Sequence, residues 1–362
     1  MITDTTLMLD VEKAKNNIRK MATKARDLNL ELRPHFKTHQ SHEIGSWFRD
    51  EGVKGITVSS IKMAEYFADD GWQSITIAFP VNILEVNRLD ELASSIELRV
   101  LATEIKVLEQ INREISNEIG IYIELDPNYQ RSGIPISEFD RIVNVKSFIE
   151  NADNLRFEGF YAHTGHTYRC RSKEEIRKLA TPIIEDLAKL KSQINAPICF
   201  GDTPSCSVLD DFGVVDQISP GNFVFFDWTQ FNIQSCEFDE IAIAMYCPVV
   251  AKYPKRNELV IHGGAVHFSK DSFNDEAGTP YFGVISEKKE SGWGNVVDGV
   301  VLKSVSQEHG IVSCTPEYLQ EVKVGDLIPV IPIHSCLTAD VMGKYQALSG
   351  EKIDHLCEKK IM

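Results

Sequence analysis

Short apolar runs alternate with amphipathic stretches over the first two thirds of the chain. Eight runs rich in Val, Ile and Leu end in polar or small residues, as buried parallel strands do. They span Leu32–His35, Gly55–Val58, Ser74–Ala78, Glu97–Leu101, Ile121–Leu125, Gly159–Ala162, Pro197–Phe200 and Val215–Ile218. Apolar positions at helical spacing predict helices over Asp10–Asn29, Ile44–Asp50, Ile61–Asp69, Asn82–Ala93, Glu104–Ile115, Ser137–Asn151, Lys173–Ile194 and Cys206–Phe212.

This alternation determines the predicted fold class. Strands separated by helices pair in parallel, because each connection has to cross a face of the sheet. Eight strand–helix units suit an α/β fold, a (β/α)₈ TIM barrel, which we predict for residues 10–232. An open, doubly wound sheet is the alternative, since the number of strands alone does not establish closure.

After Cys236 the long helical periods disappear and strand-like runs follow one another, separated by Gly, Pro and charged turns. These runs span Ile241–Val250, Glu258–His262, Tyr281–Ile285, Val296–Val301, Gly310–Ser313 and Leu327–Ile333. We predict a C-terminal β-rich domain over residues 233–362, either a sandwich or a small barrel. Residues 1–9 are expected to pair with it.

Composition narrows the class of partner. The 362 residues are 43% hydrophobic and 25% charged, with a net charge of -15, which disfavours binding to nucleic acid or to anionic membranes. The sequence has no apolar run near the roughly 20 residues that span a bilayer, and its first residues lack the pattern of a signal peptide. Its eight cysteines form no CxxC pair, which is typical of reduced thiols in the cytoplasm.

The heptapeptide Arg33–His39, Arg-Pro-His-Phe-Lys-Thr-His, follows the first predicted strand. A lysine at a strand end loses its proton if its pocket is dry or carries other cations. It can then form a Schiff base with an aldehyde, which makes Lys37 a candidate anchor for pyridoxal phosphate. An ordinary solvated lysine is the alternative.

Other polar residues follow later strands, and in a barrel the loops after all strands meet at one face. Arg131 follows the fifth strand, and His163 and His166 follow the sixth. Gly201–Ser205 and Ser219–Asn222 follow the seventh and eighth, where small residues and backbone N–H groups suit a phosphate site. Ordinary tight turns are the alternative for both glycine clusters.

The same residues also have structural interpretations. His163 and His166 can be hydrogen-bonded histidines without a function, and Arg131 can simply pair with Asp126. If a pyridine ring is bound here, an arginine that faces its nitrogen keeps that nitrogen unprotonated and makes the cofactor a weaker electron sink.

The second domain contains a His-x-Cys pair, His334 and Cys336, in the segment Ile333–Thr338, which we interpret as a strand. Alternate residues of a strand project to one face, so the imidazole and the thiolate could bind one Zn²⁺. A buried cysteine beside a hydrogen-bonded histidine is the alternative.

Five motifs together resemble the D-serine dehydratase and D-threonine aldolase family, the metal-assisted, alanine-racemase-like, fold-type III pyridoxal phosphate enzymes. They are Arg33–His39, Tyr161-Ala-His-Thr-Gly-His166, Pro220-Gly-Asn-Phe-Val-Phe-Phe-Asp227, Gly263-Gly-Ala-Val-His-Phe-Ser-Lys-Asp271 and His334-Ser-Cys336. The resemblance covers nearly the whole chain.

The resemblance implies a role for each candidate residue. Lys37 would hold pyridoxal 5'-phosphate, Arg131 would face the pyridine nitrogen and His163 would lie against the ring. The phosphate would be bound by Thr203, Ser205, Gly221 and Asn222. Lys37, His166 and Tyr168 would be catalytic, with Tyr168 lining the substrate pocket. His334 and Cys336 would bind Zn²⁺, or alternatively Mn²⁺. The family also implies a homodimer in which both domains and a partner subunit form the site.

The expected substrate is a small D-3-hydroxy amino acid. D-serine dehydratase activity, giving pyruvate and ammonia, is favoured because His-x-Cys resembles the dehydratases, whereas the aldolases more often have His-x-Asp. D-threonine aldolase, with His166 as base and glycine and acetaldehyde as products, is the alternative, together with a D-3-hydroxyaspartate lyase. An amino-acid racemase would not need the metal pair, and a non-catalytic pyridoxal phosphate-binding protein would lack the second domain.

Overall fold

The computed structural model describes residues 2–357 and divides into two compact units. One unit contains Ile18–Lys37 and Gly45–Phe223. The other contains the described residues up to Asn17, Thr38–Ile44 and the described residues from Val224 onward. Met1 and residues 358–362, which fall in the predicted β domain, lie outside the described residues.

The first unit is a closed parallel barrel. Its strands span Glu31–Leu32, Ile56–Val58, Ser74–Pro80, Glu97–Ala102, Ile119–Asp126, Leu155–His163, Ile198–Gly201 and Gln217–Ile218. From the second strand to the eighth, each strand pairs in parallel with the next one along the chain, and the eighth strand pairs with the first. His35 forms a parallel bridge with Thr57 of the second strand and so closes the ring. The predicted (β/α)₈ barrel is confirmed and the open sheet is wrong.

The helices that alternate with these strands lie close to the predicted positions. They span Val11–Asp27, His42–Asp50, Ile61–Asp69, Val86–Ala93, Ile105–Glu114, Phe139–Glu150, Lys173–Gln193 and Thr203–Val208. The last of these begins earlier than the predicted Cys206–Phe212. The Asp202 side chain accepts a hydrogen bond from the Ser205 N–H and Pro204 lies in the first turn, two features that start a helix.

Large side chains fill the interior of the barrel. Leu101, Tyr122, Tyr161 and Cys199 form one buried cluster contributed by four strands. Gly159 lets two of the strands approach closely, because a Cβ atom there would lie 2.2 Å from the carbonyl oxygen of Pro197. Its φ of +129° also suits only glycine.

The second unit is built on a nine-stranded sheet. In spatial order its strands are Glu258–His262, His309–Ser313, Trp293–Val305, Gly283–Lys288, Leu327–Pro332, Ile243–Tyr253, Thr6–Leu9, Tyr345–Ala347 and Lys352–Ile353. The first six pair antiparallel, and Ile243–Tyr253 also pairs with Glu258–His262, so these six close into a small barrel. Thr6–Leu9 pairs with Ile243–Tyr253, as expected for the N-terminal residues.

Short helices complete this unit at Trp228–Asn232, Ala265–Phe268, Pro316–Glu321 and Ser335–Met342. All eight cysteines are free thiols. Among residues 2–357, none of the helices combines the length and the apolar character that crossing a bilayer requires.

Candidate active site

Lys37, Arg131 and His163 lie close together at the ends of the barrel strands. The pKa of His163 is lowered to about 3, first by burial and then by the positive charges of Arg131 and Lys37. The same two cations, with His163, also lower the pKa of buried His35, again after burial. Lys37 and Arg131 are themselves exposed. Three candidate residues that follow different strands in the sequence are therefore brought together at the ends of the strands.

His163 occupies the inner side of the barrel wall, since it lies two residues after the interior Tyr161 on the same strand. Its Nδ1 atom is 2.6 Å from the carbonyl oxygen of Gly201. A carbonyl only accepts, so Nδ1 carries the proton and, with the ring neutral, Nε2 carries a lone pair. The result is a fixed, uncharged aromatic ring, which fits contact with the face of a pyridine.

His166 and Tyr168 belong to the short 3₁₀ turn Gly165–Arg169. The His166 ring stacks on Tyr129, with ring centroids 5.6 Å apart and an interplanar angle of 19°. Its Nδ1 atom is buried and has no hydrogen-bond partner among the described residues. Burial lowers the pKa of His166, which favours the neutral ring that can accept a proton. The Tyr168 hydroxyl accepts a hydrogen bond from the Thr203 N–H at 3.4 Å.

The four predicted phosphate ligands come from the loops after the seventh and eighth strands. Thr203 and Ser205 are fully buried in the first turn of the helix Thr203–Val208. The Gly221 N–H donates to the Thr203 hydroxyl at 3.3 Å, and buried Asn222 follows it. Hydroxyl, amide and backbone N–H donors at a barrel end are the donor set that a phosphate requires. These residues fit the predicted cofactor.

Asp202 was not predicted as a site residue. Its buried carboxyl accepts from the Ser205 N–H at 2.6 Å and from the Thr167 hydroxyl at 3.0 Å, and it also contacts the Thr164 hydroxyl. It therefore links the turn that carries His166 to the helix that carries Ser205. Burial raises the pKa of Asp202 to about 7. The sequence Asp-Thr-Pro-Ser, a helix-start signal, could have identified its capping role.

Glu124 is a second buried acid that the sequence did not reveal. It lies two residues after Tyr122 on the fifth strand, and Ser132 donates to its Oε1 atom at 2.6 Å. Burial raises the pKa of Glu124, and the Ser132 hydrogen bond and the charge of Arg131 offset part of that shift. The acid suggested from sequence as a partner of Arg131, Asp126, accepts instead from backbone N–H groups of the following turn.

The predicted metal pair does not lie on a strand, so the prediction that His334 and Cys336 are alternate residues of a strand is wrong. The strand ends at Pro332, and His334 occupies the N-cap position of the helix Ser335–Met342, immediately before its first residue. Asp227 stabilises the start of that helix, because its Oδ2 atom accepts from the Ser335 N–H at 2.9 Å. His334 and Cys336 nevertheless interact, and Cys336 contributes to raising the pKa of His334.

Two further polar groups contact the pair. The Cys336 Sγ atom lies 3.2 Å from the Thr38 hydroxyl. The Nδ1 atom of His334 lies 2.6 Å from Oδ2 of Asp271, a contact that lowers the pKa of Asp271 and raises that of His334. An imidazole and a thiol with a carboxylate beside them form a donor set that suits Zn²⁺ and other first-row divalent metals. These residues fit a metal ion.

Comparisons with known proteins identify the family of the chain. Residues 9–227 match the family model described as alanine racemase, N-terminal domain, and residues 242–348 match the putative serine dehydratase domain. A D-serine dehydratase from Dictyostelium discoideum is 28% identical, over 93% of this chain and 91% of that protein. A D-threo-3-hydroxyaspartate dehydratase from Delftia sp. (strain HT23) is 24% identical, over 95% of this chain and 93% of that protein. A D-threonine aldolase from Arthrobacter sp is 23% identical, over 91% of this chain and 84% of that protein.

Among solved structures, an alanine racemase-like protein from Idiomarina loihiensis superposes with a TM-score of 0.89 at 24% identity, covering 98% of this chain and 97% of that one. Dehydratases and aldolases are lyases, and the predicted enzyme class is confirmed at this level. Since the alanine racemase N-terminal match spans more than half of the sequence, the chain belongs to the alanine-racemase-like family that includes D-serine dehydratases and D-threonine aldolases.

Proposed function

We propose that this protein is a pyridoxal phosphate- and zinc-dependent lyase that acts on D-3-hydroxy amino acids, with D-serine as substrate and pyruvate and ammonia as products. The observation that carries the proposal is the His-x-Cys pair of His334 and Cys336, with the Asp271 carboxylate 2.6 Å from the His334 ring. A racemase of the same fold has no use for a metal ligand pair, whereas removal of a β-hydroxyl benefits from a Lewis acid.

The cofactor would be held by residues of the barrel unit. Lys37 would anchor it through Nζ, Arg131 would face the pyridine nitrogen and the neutral ring of His163 would lie against the cofactor ring. The phosphate would be bound by Thr203, Ser205, Gly221 and Asn222. When bound, pyridoxal phosphate supplies an electron sink that weakens the bonds at the Cα atom of an amino acid.

Three side chains would then handle the substrate. The Lys37 Nζ atom, in its neutral form, accepts the proton from the substrate Cα. Tyr168, whose hydroxyl is oriented by the Thr203 N–H, lines the substrate pocket. His166 is held in place by its stack on Tyr129, and its lowered pKa keeps it neutral, so that it can accept a proton from a hydroxyl.

His334 and Cys336 would hold Zn²⁺, with Mn²⁺ as the alternative. The metal supplies a Lewis acid that makes a β-hydroxyl a better leaving group. Solved structures of a D-threo-3-hydroxyaspartate dehydratase include a histidine-to-alanine and a cysteine-to-alanine variant at positions two apart, the latter in a metal-free form. The same His-x-Cys spacing here supports the proposal.

The aldolase reaction is the second candidate, because the neutral His166 is a suitable base for it and a D-threonine aldolase is among the relatives. A 3-hydroxyaspartate substrate is a third possibility within the same class. The homodimer, the cytoplasmic location and the functional division into residues 10–232 and 233–362 with 1–9 stay predictions.

The test is a product assay with the pure protein, loaded with pyridoxal phosphate and Zn²⁺. D-serine, L-serine, D-threonine and D-threo-3-hydroxyaspartate are compared by the appearance of keto acid, ammonia and glycine. We expect D-serine to give pyruvate fastest and a chelator to remove the activity. Cys336→Ala should behave like chelation, whereas Cys357→Ala, at an exposed cysteine, should not.

Other product patterns contradict the proposal. Release of glycine from D-threonine that is faster than release of pyruvate from D-serine would assign the aldolase reaction. Interconversion of D- and L-serine without pyruvate would assign a racemase. Full turnover in metal-stripped protein would remove the role of the His-x-Cys pair.

A further inference from the structure

Asp271 and His334 form a short polar contact at the predicted metal pair. Oδ2 of Asp271 lies 2.6 Å from Nδ1 of His334, a length typical of a strong hydrogen bond with a charged partner. A carboxylate only accepts, so Nδ1 must carry a hydrogen. That leaves Nε2 as the one ring atom of His334 that can bind a metal.

The backbone that leads to Asp271 is strained. Ser269 has a φ of +70° and a ψ of -167°, a region that only glycine adopts easily and that costs another residue about 1–3 kcal/mol. Such a conformation persists only where its surroundings enforce it. The Ser269 N–H donates to the Ala265 carbonyl at 2.9 Å, and the Asp271 N–H donates to the Ser269 hydroxyl at 3.1 Å. The unusual conformation thus directs the chain from the short helix Ala265–Phe268 to Asp271.

This turn is attached to the helix that His334 precedes. The Thr338 hydroxyl, on the helix Ser335–Met342, donates to the Phe268 carbonyl at 3.3 Å. The start of the strained segment, at Phe268, is therefore bonded to Thr338 within that helix. Its end, at Asp271, is bonded to His334, which precedes the helix. Asp271 and His334 are fixed relative to each other by both backbone and side-chain contacts.

We propose that Asp271 is a positioning residue: it holds the His334 ring with Nε2 directed to the metal, and the strained Ser269 turn exists to place its carboxylate. The inference rests on the proposed metal-dependent function. Metal-binding histidines commonly donate their second ring N–H to a carboxylate, which fixes the tautomer and raises the basicity of the ligand. In the sequence, Asp271 is only the last residue of the motif Gly263–Asp271, which by itself indicates no role for it.

The test measures metal binding directly, without substrate. Co²⁺ is titrated into protein that keeps its pyridoxal phosphate but has been stripped of metal. Binding is followed by the thiolate-to-cobalt charge-transfer absorbance that Cys336 would produce. Asp271→Ala should bind Co²⁺ about 10–100-fold more weakly than wild type. At saturating Co²⁺ it should recover the same thiolate band, because Cys336 is intact. Asp271→Asn should be intermediate, since its amide oxygen can accept the hydrogen bond without the charge.

Asp298→Ala is the matched control, because it removes an exposed acid of the same unit, and it should bind Co²⁺ like wild type. Equal Co²⁺ affinity in wild type and Asp271→Ala would overturn the positioning role and leave the metal-dependent function intact. A wild-type protein that gives no thiolate band would overturn the metal site itself, and the positioning role with it. The melting temperature of Asp271→Ala should stay close to that of wild type while its Co²⁺ affinity falls. An acid with a purely structural role would give the opposite result, a lower melting temperature with unchanged Co²⁺ affinity.

Discussion

Replacing Asp202 by alanine tests the buried acid that connects the His166 turn to the predicted phosphate helix. The substitution removes the acceptor of the Ser205 N–H and of two threonine hydroxyls, Thr164 and Thr167. The Ser205 N–H, in the first turn of the helix Thr203–Val208, then loses the side-chain acceptor that caps this helix. Each hydroxyl keeps a second neighbour, since Thr167 also donates to the Thr164 carbonyl and Thr164 lies 3.5 Å from the Ser205 hydroxyl.

The magnitude follows from these contacts. Loss of a helix cap costs about 1–2 kcal/mol, and each weakened buried hydrogen bond costs about 0.5–1 kcal/mol. We therefore expect Asp202→Ala to lower the free energy of unfolding by about 2–4 kcal/mol under conditions where the wild-type acid is neutral. Asp202→Asn should cost less, because its amide oxygen still accepts from Ser205.

The cost should depend on pH in a defined direction. The pKa of Asp202 is raised from 3.8 to about 7 in the folded protein. Between those values the folded state binds more protons than the unfolded state, so wild-type stability falls as the pH rises, by up to about tenfold in the unfolding equilibrium per pH unit. Alanine lacks this dependence. The destabilisation by Asp202→Ala should thus decrease as the pH rises, and should be smaller by about 2–3 kcal/mol near about pH 8 than near about pH 5.

Urea unfolding of wild type and variant at the two pH values measures both effects. Asp210→Ala, which removes an acid whose side chain is 85% exposed, is the control and should show neither the cost nor its change with pH. A cost that stays constant or grows as the pH rises would refute the reasoning. It would mean that three converging donors outweigh burial and that the carboxylate is ionised in the folded state.

Two further predictions test the anchor and the barrel. Lys37→Ala should abolish the visible absorbance of lysine-bound cofactor in purified protein, while the exposed Lys54→Ala should retain it; persistence of the band would refute the anchor. Gly159→Ala should lower the free energy of unfolding by at least about 3 kcal/mol, because its Cβ atom would lie 2.2 Å from the Pro197 carbonyl oxygen. Gly278→Ala, also at positive φ but with open space around it, should cost only about 1 kcal/mol in urea unfolding, and equal costs would exclude steric contact as the cause.

The strand pattern was predictable because it depends on local composition. A helix such as Ile61–Asp69 was located to the residue, since its apolar spacing and its Ser60 cap are both encoded nearby. The helix at Thr203–Val208 was displaced in the prediction, because the side chain of Asp202 was not recognised as its cap. The interpretation of His334 and Cys336 as alternate residues of a strand failed for a similar reason: Asp227, distant in sequence, starts a helix there.

The sequence by itself determined the parallel barrel, the antiparallel second unit and the cationic and small residues at the ends of the strands, because periodicity and residue type are local properties. The tertiary structure alone decided which acids have shifted pKa values and connect the predicted site residues. Asp202, Glu124 and Asp271 are ordinary carboxylates in the sequence, and burial or a histidine distant in the chain sets their pKa values. Burial and long-range hydrogen bonds exist only after folding, so the chemistry of these acids cannot be deduced from their sequence neighbours.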